Sequence, residues 1–203
     1  MLNKLSFISN TNRGLSYQCN EDSLGHIQTP HGDLFIVCDG VGGLPGGELA
    51  SQTAVKNIKQ YFQSNNTQPY NNLKNSIQYA HSKIKSISKT PIGTTIVMLY
   101  YTIDKTYCAW VGDSRLYIFR KNSLEWFTRD HNVLHDILNR GLGKGSHFMN
   151  PNAITRYLGK QAPLEIDICE LSVLKNDYIL LCTDGLSNFI MEPDLINIIF
   201  FFF

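Results

Sequence analysis

The apolar run Leu34-Phe35-Ile36-Val37-Cys38 ends in Asp39 and passes directly into Gly40-Val41-Gly42-Gly43. A short apolar run bounded by glycines reads as a buried strand. It delivers a carboxylate at its end. The glycines that follow let the backbone turn sharply and come close to a bound ion or phosphate. Taken alone, an Asp-Gly pair after a strand is most often a hairpin turn, so the rest of the chain has to decide its meaning.

The same event recurs twice. Residues 94–102, 106–111 and 115–120 are β-branched and aromatic runs with short polar breaks, and one break is Gly112-Asp113-Ser114. Residues 166–171 and 178–183 read as two more strands, the second ending in Asp184-Gly185. Three acids thus stand at strand ends, and Glu21-Asp22 precedes the first of them in a polar segment. A first strand is expected over residues 4–9, and residues 124–127 add a short edge. The short connections after residue 94 imply an antiparallel meander.

Between these runs the period changes. Ala50, Ala54, Ile58 and Tyr61, then Leu73, Ile77, Ala80, Ile84 and Ile87, recur at three- and four-residue steps. They predict two amphipathic helices packed side by side on one face of a sheet, joined by a polar linker over residues 64–72. Residues 131–138 and the segment from Glu192 also read as helical. Residues 139–151 hold three glycines and read as a loop. The fold class is α+β, an antiparallel β-sandwich flanked by helices, with residues 1–203 as a single domain.

Composition excludes several functions. A formal net charge of +1 with no Lys/Arg cluster gives no electrostatic reason to expect a nucleic-acid partner. No stretch approaches the ~20 apolar residues of a membrane span, and residues 1–5 do not open a signal peptide. Five scattered cysteines, none in a Cys-x-x-Cys pair, favour reduced thiols in a cytoplasmic protein. The expectation is a cytoplasmic monomer with no nucleic-acid or membrane partner.

If the strand ends meet at one rim, Asp39, Asp113 and Asp184 repel one another, and each resists ionisation until a cation is bound. An all-oxygen set selects hard ions such as Mg²⁺ or Mn²⁺. A pair of such ions clamps a phosphoryl group and ionises a bridging water for in-line attack. The competing reading is three independent turns.

Seven segments in register extend the pattern: Asn20-Glu21-Asp22, Asp39-Gly40-Val41-Gly42-Gly43, Gly93-Thr94-Thr95, Val111-Gly112-Asp113-Ser114-Arg115, Thr128-Arg129-Asp130-His131, Ala153-Ile154-Thr155-Arg156-Tyr157-Leu158-Gly159 and Cys182-Thr183-Asp184-Gly185-Leu186. Their order resembles the bacterial branch of the metal-dependent PPM-type (protein phosphatase 2C-like) serine/threonine phosphatases. The resemblance implies two central antiparallel sheets flanked by helix pairs, with a binuclear metal centre at one end. It implies that Asp39 bridges two ions, that the Gly40 carbonyl binds one, and that Asp184 ligates the other. Glu21 and Asp22 act mostly through water, and Asp113 with Asp184 matches the positions of a third, weaker ion. Asp39, Asp184 and Glu21 are the expected catalytic residues. Residues 139–152 correspond to the variable flap that influences substrate choice. The substrates are phosphoserine and phosphothreonine proteins, the targets of a Ser/Thr kinase.

This chain departs from the family in three places. The arginine that grips the substrate phosphate, three residues before Asn-Glu-Asp, is here Tyr17, which lacks a bidentate cationic fork. Arg13, in the preceding turn, is the nearby cation for substrate binding. The usual histidine after Gly-Gly is Leu44, followed by Pro45, and His131 is expected to be structural. Lastly, the chain ends at Phe203 before the family's Asp-Asn pair, so one metal ligand and a last strand are expected to be missing. The run of phenylalanines at 200–203 suggests a slip in a poly-T tract. The alternative function is therefore a catalytically impaired pseudophosphatase that at most binds phosphoproteins.

Overall fold

The computed structural model describes residues 5–15, 18–65, 68–139 and 150–202. Residues 5–9 form no strand; the first strand, β1, is Asp22–Thr29. It is missed by pattern reading because its alternation is broken by Gly25 and by polar residues on both faces. β1 forms a hairpin with β2 (Gly32–Asp39), in register from Thr29 opposite Gly32 to Asp22 opposite Asp39. In β2, Leu34, Ile36 and Cys38 are fully or almost fully buried while their neighbours are half-buried.

Helices α1 (Gly47–Ser64) and α2 (Pro69–Ile87) follow as the apolar periodicity predicts. Helix α2 starts earlier than the polar composition suggests. Pro69 sits in its first turn, where its missing N–H costs nothing. The stripe Leu73, Ile77, Ala80 and Ile84 is wholly buried, but Ile87 is exposed, and Phe62 rather than Tyr61 closes the stripe of α1. These side chains pack on Leu34, Ile36, Ile96 and Met98. Each large aliphatic buried there contributes about 1.5–3 kcal/mol.

The meander expectation fails at one point. β3 (Ile96–Thr102) and β4 (Thr106–Val111) extend the sheet of the first hairpin, but β5 (Arg115–Arg120) and β6 (Ser123–Phe127) belong to a second sheet. The chain changes sheets at Gly112-Asp113-Ser114. Gly112 has φ 112°, and a Cβ there would lie 2.7 Å from the Thr95 Cβ. Only glycine tolerates that conformation and that approach. A three-residue break is short enough for a hairpin, so local pattern could not distinguish the two outcomes.

Helix α3 (Val133–Asn139) leads to β7 (Asp167–Leu171) and β8 (Tyr178–Cys182), which join different sheets. The described strands therefore form one sheet ordered β1-β2-β3-β4-β7 and another ordered β6-β5-β8, all antiparallel. Val97, Leu99 and Trp110 meet Leu116 and Ile118 between the sheets. After the short α4 (Asp184–Ser187), α5 (Glu192–Phe202) lays Leu195 and Ile199 on Tyr117 and Phe119. The result is a helix pair, two sheets and a further helix in successive layers, the expected α+β sandwich.

Candidate active site

Asp39 leaves β2 beside Asp22, the first residue of β1 and its register partner. Its backbone is held firmly. Thr95 N–H and the Thr94 hydroxyl both donate to the Asp39 carbonyl at 2.8 Å, and Asp39 N–H donates to Thr95 Oγ1 at 3.1 Å. The Thr95 hydroxyl also meets Ser114 Oγ at 2.6 Å, which ties the end of β2 to the sheet-switching loop that carries Asp113. Asp184 arrives from the far side, at the start of α4 directly after β8. Thr183 next to it donates to Asp22 Oδ2 at 3.1 Å, and Asn188 donates to Asp184 Oδ2 at 3.1 Å. Residues 161 positions apart in the chain are thus hydrogen-bonded across the rim.

The carboxyl groups behave as one cluster. The Asp39 carboxyl stands close to those of Asp22 and Asp184. Burial first, then the charges of Asp22, Asp184 and Asp113, push Asp39 up to about 9. Burial, then the charges of Asp184 and Asp130, raise Asp113 to about 6, and burial raises Asp22 against the opposing effect of Thr183. Each of these groups resists negative charge chiefly because it is buried, and neighbouring carboxylates add to the effect.

The cluster offers hard oxygen donors, which suit Mg²⁺ or Mn²⁺. Among the described residues no group of three carboxylate, imidazole or thiolate side chains already closes on a single point as a metal cage. The acids instead couple in pairs around Asp39. Their chemistry therefore fits hard cations.

Glu21 lies against the first turn of α1. Its carboxylate packs on Gly47, where a Cβ would lie 2.7 Å from Glu21 Oε2. That places it at the N-terminus of α1, whose Gly46 cap supplies no side-chain hydrogen bond. A carboxylate is stabilised there by the exposed N–H groups and the helix dipole. The Glu21 carbonyl accepts Gly40 N–H at 3.1 Å, so Glu21 and Gly40 are neighbours through the backbone. Gly40 is buried and bridges to Thr94.

Sequence reasoning gave Arg115 no role and His131 only a structural one. Arg115 grips Asp130 with both Nε and Nη2 at 2.7 Å and donates to the Tyr117 hydroxyl. His131 accepts Gly112 N–H on Nδ1 at 3.1 Å and stacks on Trp110. Burial and Arg156 hold its imidazole below the usual value. Its Nε2 lies 3.4 Å from Asp167 yet makes no hydrogen bond. Both residues brace the Gly112-Asp113-Ser114 loop from behind, in line with the structural reading of His131. Signals for them existed in the sequence only as the segments Asp113-Ser114-Arg115 and Asp130-His131, with no indication that they meet.

Arg13 donates to the Gln18 carbonyl at 3.2 Å and lies on the exposed N-terminal turn. Tyr17 and residues 140–149, most of the expected flap, lie outside the described residues. Leu44, in place of a histidine, is half-buried, and His26, His81 and His135 are engaged with Asp33, Gly159 and the Asp130 carbonyl respectively.

A family model described as Protein phosphatase 2C matches residues 15–203. The chain is 29% identical to the serine/threonine phosphatase Stp of Listeria welshimeri over 203 residues, covering 93% of this chain and 81% of that protein. Among solved structures it is similar to the S. agalactiae serine/threonine phosphatase, with a TM-score of 0.82 and 26% identity, over 93% of this chain and 83% of that one. It is equally similar to serine/threonine phosphatase Stp1 from Staphylococcus aureus, with a TM-score of 0.82, 26% identity and 92% and 78% coverage.

Proposed function

The chain belongs to the protein phosphatase 2C family, and we propose that it hydrolyses phosphoserine and phosphothreonine esters in proteins at the Asp39 rim. The observation that carries this reading is the convergence of Asp22, Asp39, Asp113 and Asp184 at one rim, where burial first and then the neighbouring charges push the Asp39 carboxyl up to about 9. Such a cluster is poised to exchange protons for cations.

Asp39, the Gly40 carbonyl, Asp22 and Asp184 would hold two Mg²⁺ or Mn²⁺ ions, and Asp113 with Asp184 a third. Bound there, the ions supply charge neutralisation for the phosphoryl oxygens and lower the pKa of water. Thr94 and Thr95 fix Asp39, Thr183 fixes Asp22, and Asn188 orients Asp184. Glu21 sets the distance between this rim and α1 through Gly40 and Gly47. Arg13 and Tyr17 are the candidate contacts for the substrate phosphate. A neutral phenol gives one hydrogen bond where a guanidinium gives two and a charge, so phosphate binding is weak.

No described helix is long and apolar enough to cross a membrane. We place the protein in the cytoplasm as a monomer, acting on products of Ser/Thr kinases. The deciding experiment measures Mn²⁺-dependent release of phosphate from a phosphothreonine peptide, with Asp39→Ala as control. Release that needs Mn²⁺ and is lost in the variant supports the reading. Release that survives the substitution, or that is absent at every metal concentration, overturns it.

A further inference from the structure

The outer edge of β1 carries chemistry that the carboxylate rim does not use. Among the described strands β1 pairs only with β2, so it is an edge of the five-stranded sheet. Half of the backbone N–H and C=O groups of such a strand point away from the sheet. Beside it, between β1 and α1, runs a groove of about 690 Å³. Leu24 lines one side, and Val55, Lys56, Lys59, Gln60 and Gln63 line the other. The helix residues recur at three- and four-residue steps and form one stripe. It offers ammonium and amide donors and no acid. Among the described residues neither Lys56 nor Lys59 is engaged in an ion pair. Gly25 allows the close packing of strand and helix, since a Cβ there would lie 2.7 Å from Val55 Cγ1 and 3.5 Å from Lys59 Cδ.

We propose that this groove receives the substrate polypeptide as an added antiparallel strand on β1, with Lys56 and Lys59 selecting acidic side chains N-terminal to the phosphorylated residue. The inference rests on the phosphatase reading above. Two observations fix the occupant. The groove begins one residue from the rim, since Ser23 and Leu24 in its wall directly follow Asp22 in the strand. Its charge is complementary to an acidic peptide. Antiparallel pairing is the more stable arrangement per residue, and main-chain hydrogen bonds to an edge give affinity with little sequence demand. β1 runs away from the rim, so an antiparallel partner runs toward it. Gly25, beside Lys59, is three residues from Asp22, about 10 Å at the rise of a strand. Acidic side chains therefore fall about three to five residues before the phosphoresidue.

The test uses the full chain and fluorescein-labelled phosphothreonine peptides, with anisotropy read in EDTA so that binding is measured without turnover. One peptide carries Asp or Glu at the three positions from five to three residues before phosphothreonine, a second carries them after it, and a third has Gln throughout. The first is expected to bind about fivefold tighter than the others at low salt, from two exposed charge contacts. That advantage disappears in the Lys56→Glu/Lys59→Glu double variant and in 0.5 M NaCl. N-methylation of alternate peptide bonds in the acidic segment is expected to weaken binding, because it removes the donors that strand addition needs. Equal affinity for the three peptides overturns the proposal, as does indifference to N-methylation or an advantage that survives the double substitution. Hydrolysis of p-nitrophenyl phosphate by the unaltered chain tests the phosphatase reading separately, since that substrate does not reach the groove.

Discussion

A Cβ placed on Gly40 would lie 2.6 Å from the Gly47 Cα. Two backbones therefore touch where the acid-bearing strand end meets the first turn of α1, with the Glu21 carboxylate against the same Gly47. Gly40 and Gly47 matter here for the absence of side chains, whereas Gly43 and Gly46 adopt φ of 83° and 79°. The first pair lets helix, strand end and acid share one small volume.

Gly40→Ala should accordingly shift the end of β2 away from α1. The clash is with backbone, which cannot rotate aside, so a loss of about 1–3 kcal/mol is expected. Urea denaturation of the variant should show the lower midpoint, and phosphatase activity should fall more than stability, because Asp39 moves with its neighbour.

Asp39→Asn should stabilise the metal-free protein. The folded-state pKa of Asp39, about 9, lies above its usual 3.8. Its favourable contribution is fully present below about pH 4 and is lost as the pH rises through 9. Melting temperature measured in EDTA should decline from pH 5 to 9 in the parent chain and decline less in the variant, with about 2–4 °C for each kcal/mol recovered. Adding Mn²⁺ should reverse the order. A variant that melts lower than the parent at pH 8 in EDTA would contradict the carboxylate crowding.

Arg115→Ala removes both donors from Asp130, whose side chain is only 7% exposed. An unpaired buried carboxylate costs on the order of 3–5 kcal/mol. Arg115→Lys should recover part of this, since an ammonium cannot make the two-pronged contact. Equilibrium unfolding of both variants gives the comparison, and the spacing between them measures the value of the fork.

Tyr17→Arg should strengthen substrate binding. A guanidinium would supply charge and two hydrogen bonds to a phosphate where the phenol supplies one. The Michaelis constant for a phosphothreonine peptide is expected to drop about tenfold, and the gain should shrink with rising salt. An unchanged constant and unchanged turnover would remove Tyr17 from the phosphate site.

Much of this arrangement was legible in the residues. The helix stripes, the strand ending at Asp39 and the acids at strand ends rest on local periodicity and on chain direction, which sequence carries directly. β1 was not legible, because polar residues and Gly25 hide its alternation. The exchange of sheets at Gly112 was hidden too, because a three-residue break also suits a hairpin. The fork between Arg115 and Asp130 joins positions 15 residues apart through a packing contact that no local pattern encodes.

The sequence by itself determined which residues carry acid and where the backbone is stripped of side chains; seven ordered segments sufficed to place the chain among phosphatases of this family. Only the tertiary structure decided which acids act together. It brought Asp22, Asp39, Asp113 and Asp184 within electrostatic reach of one another and laid the Glu21 carboxylate on Gly47 at the N-terminus of α1. The physical reason is that electrostatic coupling falls off over a few ångströms. Membership of the cluster is fixed by how two sheets and a helix pack, and not by distance along the chain.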